Sequence, residues 1–204
     1  MYKRQAWSYV ANSAHNEFVA GTTYTDTFSV SSADGTLTSV TVHILGTNDA
    51  AVLSADIVNL TETNAPLTTN GTLTISDVDS PETFQAQSGT AGANGTFTID
   101  AAGNWSYTAN SAFDALNVGD NLTDTFTVLS ADGTATSVAV TIKGSNDAAV
   151  LSSASVTLTE TNAPLTTGGS LTVSDIDSPE TFQAQSGTAG ANGCLLYTSP
   201  SPRD

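Results

Sequence analysis

The sequence predicts an all-β protein made of tandem immunoglobulin-like β-sandwich repeats, and three observations carry that prediction. The 204 residues repeat at a period of 98 with no insertion, apolar residues alternate with Thr, Ser and Asn in short runs, and Gly, Asp and Asn turns bound those runs. A period of about 100 residues is a whole domain, not a solenoid repeat. Seven or so short strands in that length fit a sandwich.

The repeat fixes the domain boundaries. Trp-Ser-Tyr falls at 7 and 105, Thr-Asp-Thr-Phe at 25 and 123, and Ser-Ala-Asp-Gly-Thr at 32 and 130. Residues 50–95 and 148–193 agree at 38 of 46 positions. The chain is therefore expected to hold the last part of one unit (6–49), one complete unit (50–147) and the first half of a third (148–193). The ends, MYKRQ at 1–5 and CLLYTSPSPRD at 194–204, match nothing in the repeat and resemble a translated sequencing-library adapter. Both are set aside in the fold expectation.

Within the complete unit, Val58 and Leu60, Leu73 and Ile75, Phe97 and Ile99, Trp105 and Tyr107, Phe126 and Val128, and Val138, Val140 and Ile142 are each two apart and share one face of a strand. One hairpin turns at Ala101–Asn104 and another at Asp132–Gly133, a favoured hairpin dipeptide. Ser111 and Asp114 have the spacing of a helical capping box, which predicts a single turn of helix at Ser111–Leu116. Trp7 and Trp105 share strand faces with Tyr9 and Tyr107, which predicts core packing in preference to a carbohydrate platform.

Charge narrows the function. The formal net charge is −16, and without the two ends Lys+Arg falls to 1 and Asp+Glu to 19, so 1 − 19 = −18. Such a surface repels nucleic acid and anionic lipid and favours cations. No segment has the roughly 18 apolar residues of a membrane-spanning helix. No Ser-His-Asp or His cluster recurs between repeats, so no enzyme is expected: His15 aligns with Phe113 and His43 with Thr141.

The acids sit where strands end. Alternation places Glu62 on the face of Val58 and Leu60, Asp77 and Asp79 on that of Leu73 and Ile75, and Asp124 on that of Phe126 and Val128. An unpaired carboxylate at the edge of a core is costly, and one lysine cannot compensate them all. A hard cation can, because Ca²⁺ takes six to eight oxygen ligands. If the first strand leaves one pole and the last ends at the other, Glu62, Asp124, Asn146 and Asp147 share the far pole and Asp77, Asp79 and Asp132 the near one. End-to-end joining would set Glu62, Asp124, Asn146 and Asp147 against Asp175 and Asp177. It would likewise set Asp26, Asn48 and Asp49 against Asp77, Asp79 and Asp132. Plain turn or linker roles for these residues remain open at this point.

The motif "LTETNAPLTTNGTLTISDVDS" resembles the opening of a cadherin repeat, and "FTVLSADGTATSVAVTIKGSNDAAV" resembles its close. The whole of 6–193 is similar to the bacterial VCBS repeat of large RTX-type surface adhesins. That resemblance implies a secreted or surface-anchored adhesin stalk, non-catalytic and stiffened by Ca²⁺ at its junctions, whose partners are neighbouring repeats and a cell-surface or matrix ligand. By position it implies Glu62, Asp77, Asp79, Asp132, Asn146 and Asp147 as ligands, with Asn48, Asp49, Asp175 and Asp177 as their copies. The cadherin Leu-Asp-Arg-Glu motif is absent, and its role passes by geometry to Asp124 and Asp26. The alternatives are a glycan- or protein-binding module and a spacer domain of a large secreted enzyme.

Overall fold

The computed structural model describes residues 4–197, which form strands and turns with no helix among them. The strands are β1 (Thr23–Ser31), β2 (Leu37–Leu45), β3 (Val52–Leu53), β4 (Asp56–Thr61), β5 (Thr68–Thr72), β6 (Ile75–Ser76), β7 (Gln87–Ala91) and β8 (Gly95–Ile99). They continue with β9 (Asn104–Ala109), β10 (Asn121–Leu129), β11 (Ala135–Lys143), β12 (Val150–Leu151), β13 (Val173–Ser174), β14 (Gln185–Ala189) and β15 (Cys194–Tyr197). Two compact units emerge, one drawn from Met1–Val58, Thr68–Asn110 and Thr123–Val140, the other from Asn59–Leu67, Ser111–Leu122 and Thr141–Asp204. The division cuts β4, β10 and β11, so compactness does not follow the boundaries of the sequence repeats.

The first unit contains the core of the complete repeat. A four-stranded sheet in the order β5-β9-β8-β7 supplies one layer, and the strands of the sheet β10-β11-β4 supply the other. β8, β9 and β10 alternate buried and exposed residues along their length, as antiparallel strands with one covered face must. The buried set is Leu73, Phe84, Phe97, Ile99, Trp105, Tyr107, Phe126, Val128, Val138 and Val140, which takes in most of the residues picked out by two-residue alternation. Phe97 stacks on Phe126 at 4.6 Å between ring centroids, and Tyr107 meets Phe126 at 6.0 Å, so aromatic contacts join the layers. Trp105 lies in this core at 2 % exposure, which denies it to a surface ligand.

One expectation changes. Ser111–Leu116 is not helical: Phe113 adopts φ 66°, outside the right-handed helical region, and the segment folds as turns closed by Leu116 N donating to Phe113 O at 3.0 Å. His15, one repeat earlier, has φ 58°, so the bend belongs to the repeat. Residues 194–197 of the set-aside C-terminal segment form a strand. Those residues are β15, paired with β14 as Gln185↔Tyr197, Thr188↔Leu195 and Ala189↔Cys194. The register matches Gln87↔Ile99, Thr90↔Phe97 and Ala91↔Thr96 in β7–β8. The Gly190–Gly193 turn sets that pairing whatever sequence follows it, and Leu195 and Tyr197 then fall at the positions of Phe97 and Ile99. Residues 1–3 and 198–204 of the two set-aside ends lie outside the described residues.

The second unit contains β12 to β15, with β12 paired to β13 and β14 to β15. It also contains the turns and strand ends that carry Glu62, Asp114 and Asp147.

Candidate metal centre

Alternation along β4 carries the chain from half-buried Val58 and Leu60 to Glu62, which is 2 % exposed. Its amide donates to Lys143 O at 2.8 Å, so the end of β4 is tied to the end of β11. Glu62 Oε1 accepts from Ser145 N at 2.9 Å and Ser145 Oγ at 2.8 Å, while Oε2 is buried with no partner.

Two further carboxylates meet it. Asp114 follows the left-handed Phe113, in a loop held by Asp120 N donating to Asn117 O at 2.9 Å and Gly144 N donating to Asp120 O at 3.0 Å. A β-carbon on Gly144 would collide with the carbonyls of Leu116 and Asn117, so only glycine lets the loop close on the end of β11. Asp147 comes from the linker three residues beyond Gly144. Ligand oxygens of Glu62, Asp114 and Asp147 all lie within 4.8 Å of one another. Oxygens bound to one Ca²⁺ at about 2.4 Å can be separated by up to about 5 Å, so the spacing suits a single hard cation.

The following repeat adds to the group. Asp147 N donates to Asp177 Oδ2 at 3.2 Å, and the amides of Asp177 and Ser178 donate to Asp175 Oδ1 at 3.3 and 2.9 Å. Asp114 Oδ1, Asp147 Oδ2 and Asp177 Oδ1 are buried without hydrogen-bond partners, as is Glu62 Oε2. Burial, followed by the charges of Glu62, Asp114 and Asp177, holds the Asp147 carboxyl above its ordinary pKa. Asn146 Nδ2 donates to Asp147 O at 2.8 Å and steadies the linker. His15 Nδ1 lies 2.9 Å from Glu17 Oε1, far along the chain from these acids.

A related group lies in the first unit. Asp49 N donates to Asp79 Oδ1 at 3.3 Å, and the amides of Asp79 and Ser80 donate to Asp77 Oδ1 at 3.0 and 2.8 Å. Asn48 donates through Nδ2 to Asp132 Oδ2 at 3.2 Å and accepts from Ser80 Oγ at 3.3 Å. Asp132 also accepts from Ala51 N, Thr134 N, Thr134 Oγ1 and Ser130 Oγ, and the hydroxyl and amide bonds of Ser130 and Thr134 pull its pKa well below the ordinary carboxylate range. Asp77 Oδ2 and Asp79 Oδ2 have no partner, and Asp79 is held above its usual pKa chiefly by burial.

Asp124 and Asp26 have other partners. Asp124 is buried, and its oxygens accept from Ala93 N at 3.0 Å, Asn94 N at 3.0 Å, Asn94 Nδ2 at 3.1 Å and Tyr107 Oη at 3.0 Å. With four donors in place it is a hydrogen-bonded anchor for the 92–95 turn, and burial with this carboxylate beside it pushes the Tyr107 phenol well up. Gly92 is glycine because a β-carbon there would enter the Asp124 carboxylate. Asp26 likewise accepts from Tyr9 Oη at 2.7 Å. The acid that joins Glu62 and Asp147 is Asp114, read from sequence as a helix cap. Its position at a sharp turn just before β10 was the available signal.

Residues 48–144 match the bacterial cadherin-like domain. No curated protein matches the chain. The matched segment is an all-β cadherin-like sandwich, and domains of this kind serve in general as non-catalytic modules of extracellular proteins. No helix among the described residues is long and apolar enough to cross a membrane.

Proposed function

We propose that the chain is a stalk segment of a secreted or surface-anchored bacterial adhesin whose repeat junctions are stiffened by Ca²⁺. Glu62, Asp114 and Asp147 would hold the ion from the complete repeat and Asp177 and Asp175 from the next, with Asn146 shaping the linker between them. Asn48, Asp49, Asp77, Asp79 and Asp132 form the corresponding junction one repeat earlier. The observation that carries this reading is the set of buried carboxylate oxygens without donors, on Glu62, Asp114, Asp147 and Asp177. Buried charges of one sign with no counter-charge are stable only if protonated or bound to a cation. The oxygen-only donor set is the kind that selects Ca²⁺ or Mg²⁺ over softer metals.

Bound Ca²⁺ supplies neutralising charge and fixes the direction in which one repeat leaves the other. The stalk would then present an adhesive region elsewhere in the protein to a cell-surface or matrix ligand and support attachment in biofilms. Small-angle scattering of a protein with two complete repeats in tandem tests this. An extended rod in Ca²⁺ that becomes a flexible chain in chelator is the expected result. Superimposable scattering in the two conditions would remove the stiffening role.

A further inference from the structure

We propose that β5 is a pairing edge, on which two copies of this chain join strand to strand, antiparallel and about a two-fold axis through Asn70. β5 stands at the edge of the sheet β5-β9-β8-β7. Its phase is set by β9. Leu73 N donates to Gly103 O at 2.9 Å, and Leu73 is two residues beyond Gly71 in the register that sets Gly71 against Trp105. Bonded and non-bonded pairs alternate along an antiparallel ladder, so the odd-numbered residues bond to β9. Thr68, Asn70 and Thr72 therefore turn their N–H and C=O groups to the open side, and all three are exposed. Among the described residues, none of these backbone groups has a partner on that side.

Two other edges of this unit are blunted. β7 carries a bulge between Gln87 and Thr90, with Gly89 at φ 66°. Along the outer edge of β10, Gln85 N donates to Leu129 O at 2.8 Å, and the side-chain amides of Gln85 and Gln87 donate to Ser130 O and Thr127 O at 3.0 and 2.8 Å. Bulges and covering segments are devices that keep sheet edges from pairing. β5 has neither, and it holds no proline and no charged residue.

Two features select a second copy of the same strand as the occupant. Residues 66–73 and β9 carry no charge, so two chains of net charge −16 meet there without like charges face to face. The other feature is an orphaned donor. Trp105 is 2 % exposed, and its Nε1 is buried with no partner. The indole lies against Gly71, where a β-carbon would stand 2.8 Å from Nε1. In antiparallel pairing centred on Asn70, Thr69 of the second copy stands opposite Gly71, on the face that looks into the core. Opposed β-carbons lie about 4.5–5.5 Å apart, so its hydroxyl reaches the space that glycine leaves and accepts from the indole N–H. The pairing is isologous: Asn70 meets Asn70, Thr68 meets Thr72, and each copy offers Thr69 to the Trp105 of the other. Strand addition of this kind draws its affinity from main-chain bonds. The contact closes at two copies, joins neighbouring chains side by side and requires no metal.

Disulfide cross-linking tests the register, in the full chain with Cys194→Ser to remove its own exposed thiol. Asn70→Cys sets two thiols opposite one another across the axis, with about 5.5 Å between α-carbons and within disulfide reach. Oxidation should give a dimer, with no larger species, that reverts on reduction. Ser106→Cys, exposed on β9 directly beside Asn70, should stay monomeric. No dimer from Asn70→Cys, or equal linking by Ser106→Cys, would overturn the proposal. Sedimentation gives a second reading without any thiol. The Cys194→Ser chain should pass from monomer to dimer as its concentration rises into the millimolar range, in chelator as in Ca²⁺. Asn70→Pro removes an outward N–H that β9 does not use, which a sheet edge tolerates, and should remain monomeric. A parent chain monomeric throughout, a dimer that forms only in Ca²⁺, or an Asn70→Pro chain that dimerises as well as its parent would each overturn the proposal.

Discussion

Asp147 donates its amide to Asp177 at 3.2 Å, and Asp49, 98 residues earlier, donates its own to Asp79 at 3.3 Å. The two linkers share sequence and backbone geometry, yet their charge is handled differently. In the upstream group Asp132 is satisfied by the protein through Asn48, Ala51, Ser130 and Thr134, and only Asp77 and Asp79 carry a buried oxygen without a donor. In the downstream group Glu62, Asp114, Asp147 and Asp177 each carry one. Position 16, one repeat before Asp114, is Asn. The same linker can therefore rest on protein donors or leave buried carboxylate oxygens without them, according to which acids the neighbouring loops bring to it.

Substitutions can break that contrast, and the largest effect should come from an acid outside both groups. Asp124→Ala removes a buried carboxylate with four donors and should cost about 3 kcal/mol, since hydrogen bonds to charged groups are worth roughly 1.5–3 kcal/mol each and do not add fully. Urea denaturation should show the loss, with the response to Ca²⁺ unchanged. Next comes the metal. At a hundredfold excess over its dissociation constant, a ligand that binds only the folded state stabilises it by about 2.7 kcal/mol. Asp177→Asn should remove most of the rise in melting temperature that Ca²⁺ produces, and Asp79→Asn a smaller part.

The smallest effect is on pH dependence in chelator. Asp147 and Asp79 have folded pKa values above their unfolded ones, so the stability they contribute is present below the ordinary aspartate value, about 3.9, and is lost as pH rises through the raised folded value. Asp132 has a lowered folded pKa, so its contribution is present above about 3.9 and is lost as pH falls through that lowered value. Metal-free protein should thus be more stable in mild acid than at neutrality, and saturating Ca²⁺ should reverse that slope. Urea midpoints across pH, with and without Ca²⁺, measure both. A flat metal-free profile would remove the contrast between the two kinds of acid.

The sandwich was legible because its strands have one covered face: alternation alone places Phe97, Tyr107, Phe126, Val138 and Glu62 inside. The fate of Asp124 was not. Its donors, Tyr107 and the 93–94 turn, lie 17 and 30–31 residues away in sequence, and nothing local separates an acid that meets a phenol from one that meets an ion. Asp114 was hidden for the opposite reason. A local pattern, Ser111 with Asp114, pointed to a helix, and the left-handed backbone at Phe113 that turns Asp114 into the group depends on how the loop closes against Gly144. The strand at Cys194–Tyr197 shows register inherited from the preceding turn, against a composition that sets those residues apart.

Calorimetric titration of Ca²⁺ into the full chain and into Glu62→Gln bears most directly on the downstream centre. Glutamine keeps the oxygen that accepts from Ser145 and removes the charge, so the fold should survive. The wild-type chain should give saturable binding in the range of extracellular modules, about 10⁻⁴ to 10⁻³ M, and Glu62→Gln should lose the downstream share of that heat. Binding unchanged by the substitution, or no saturable heat in the wild type, would contradict a metal centre at Glu62, Asp114 and Asp147.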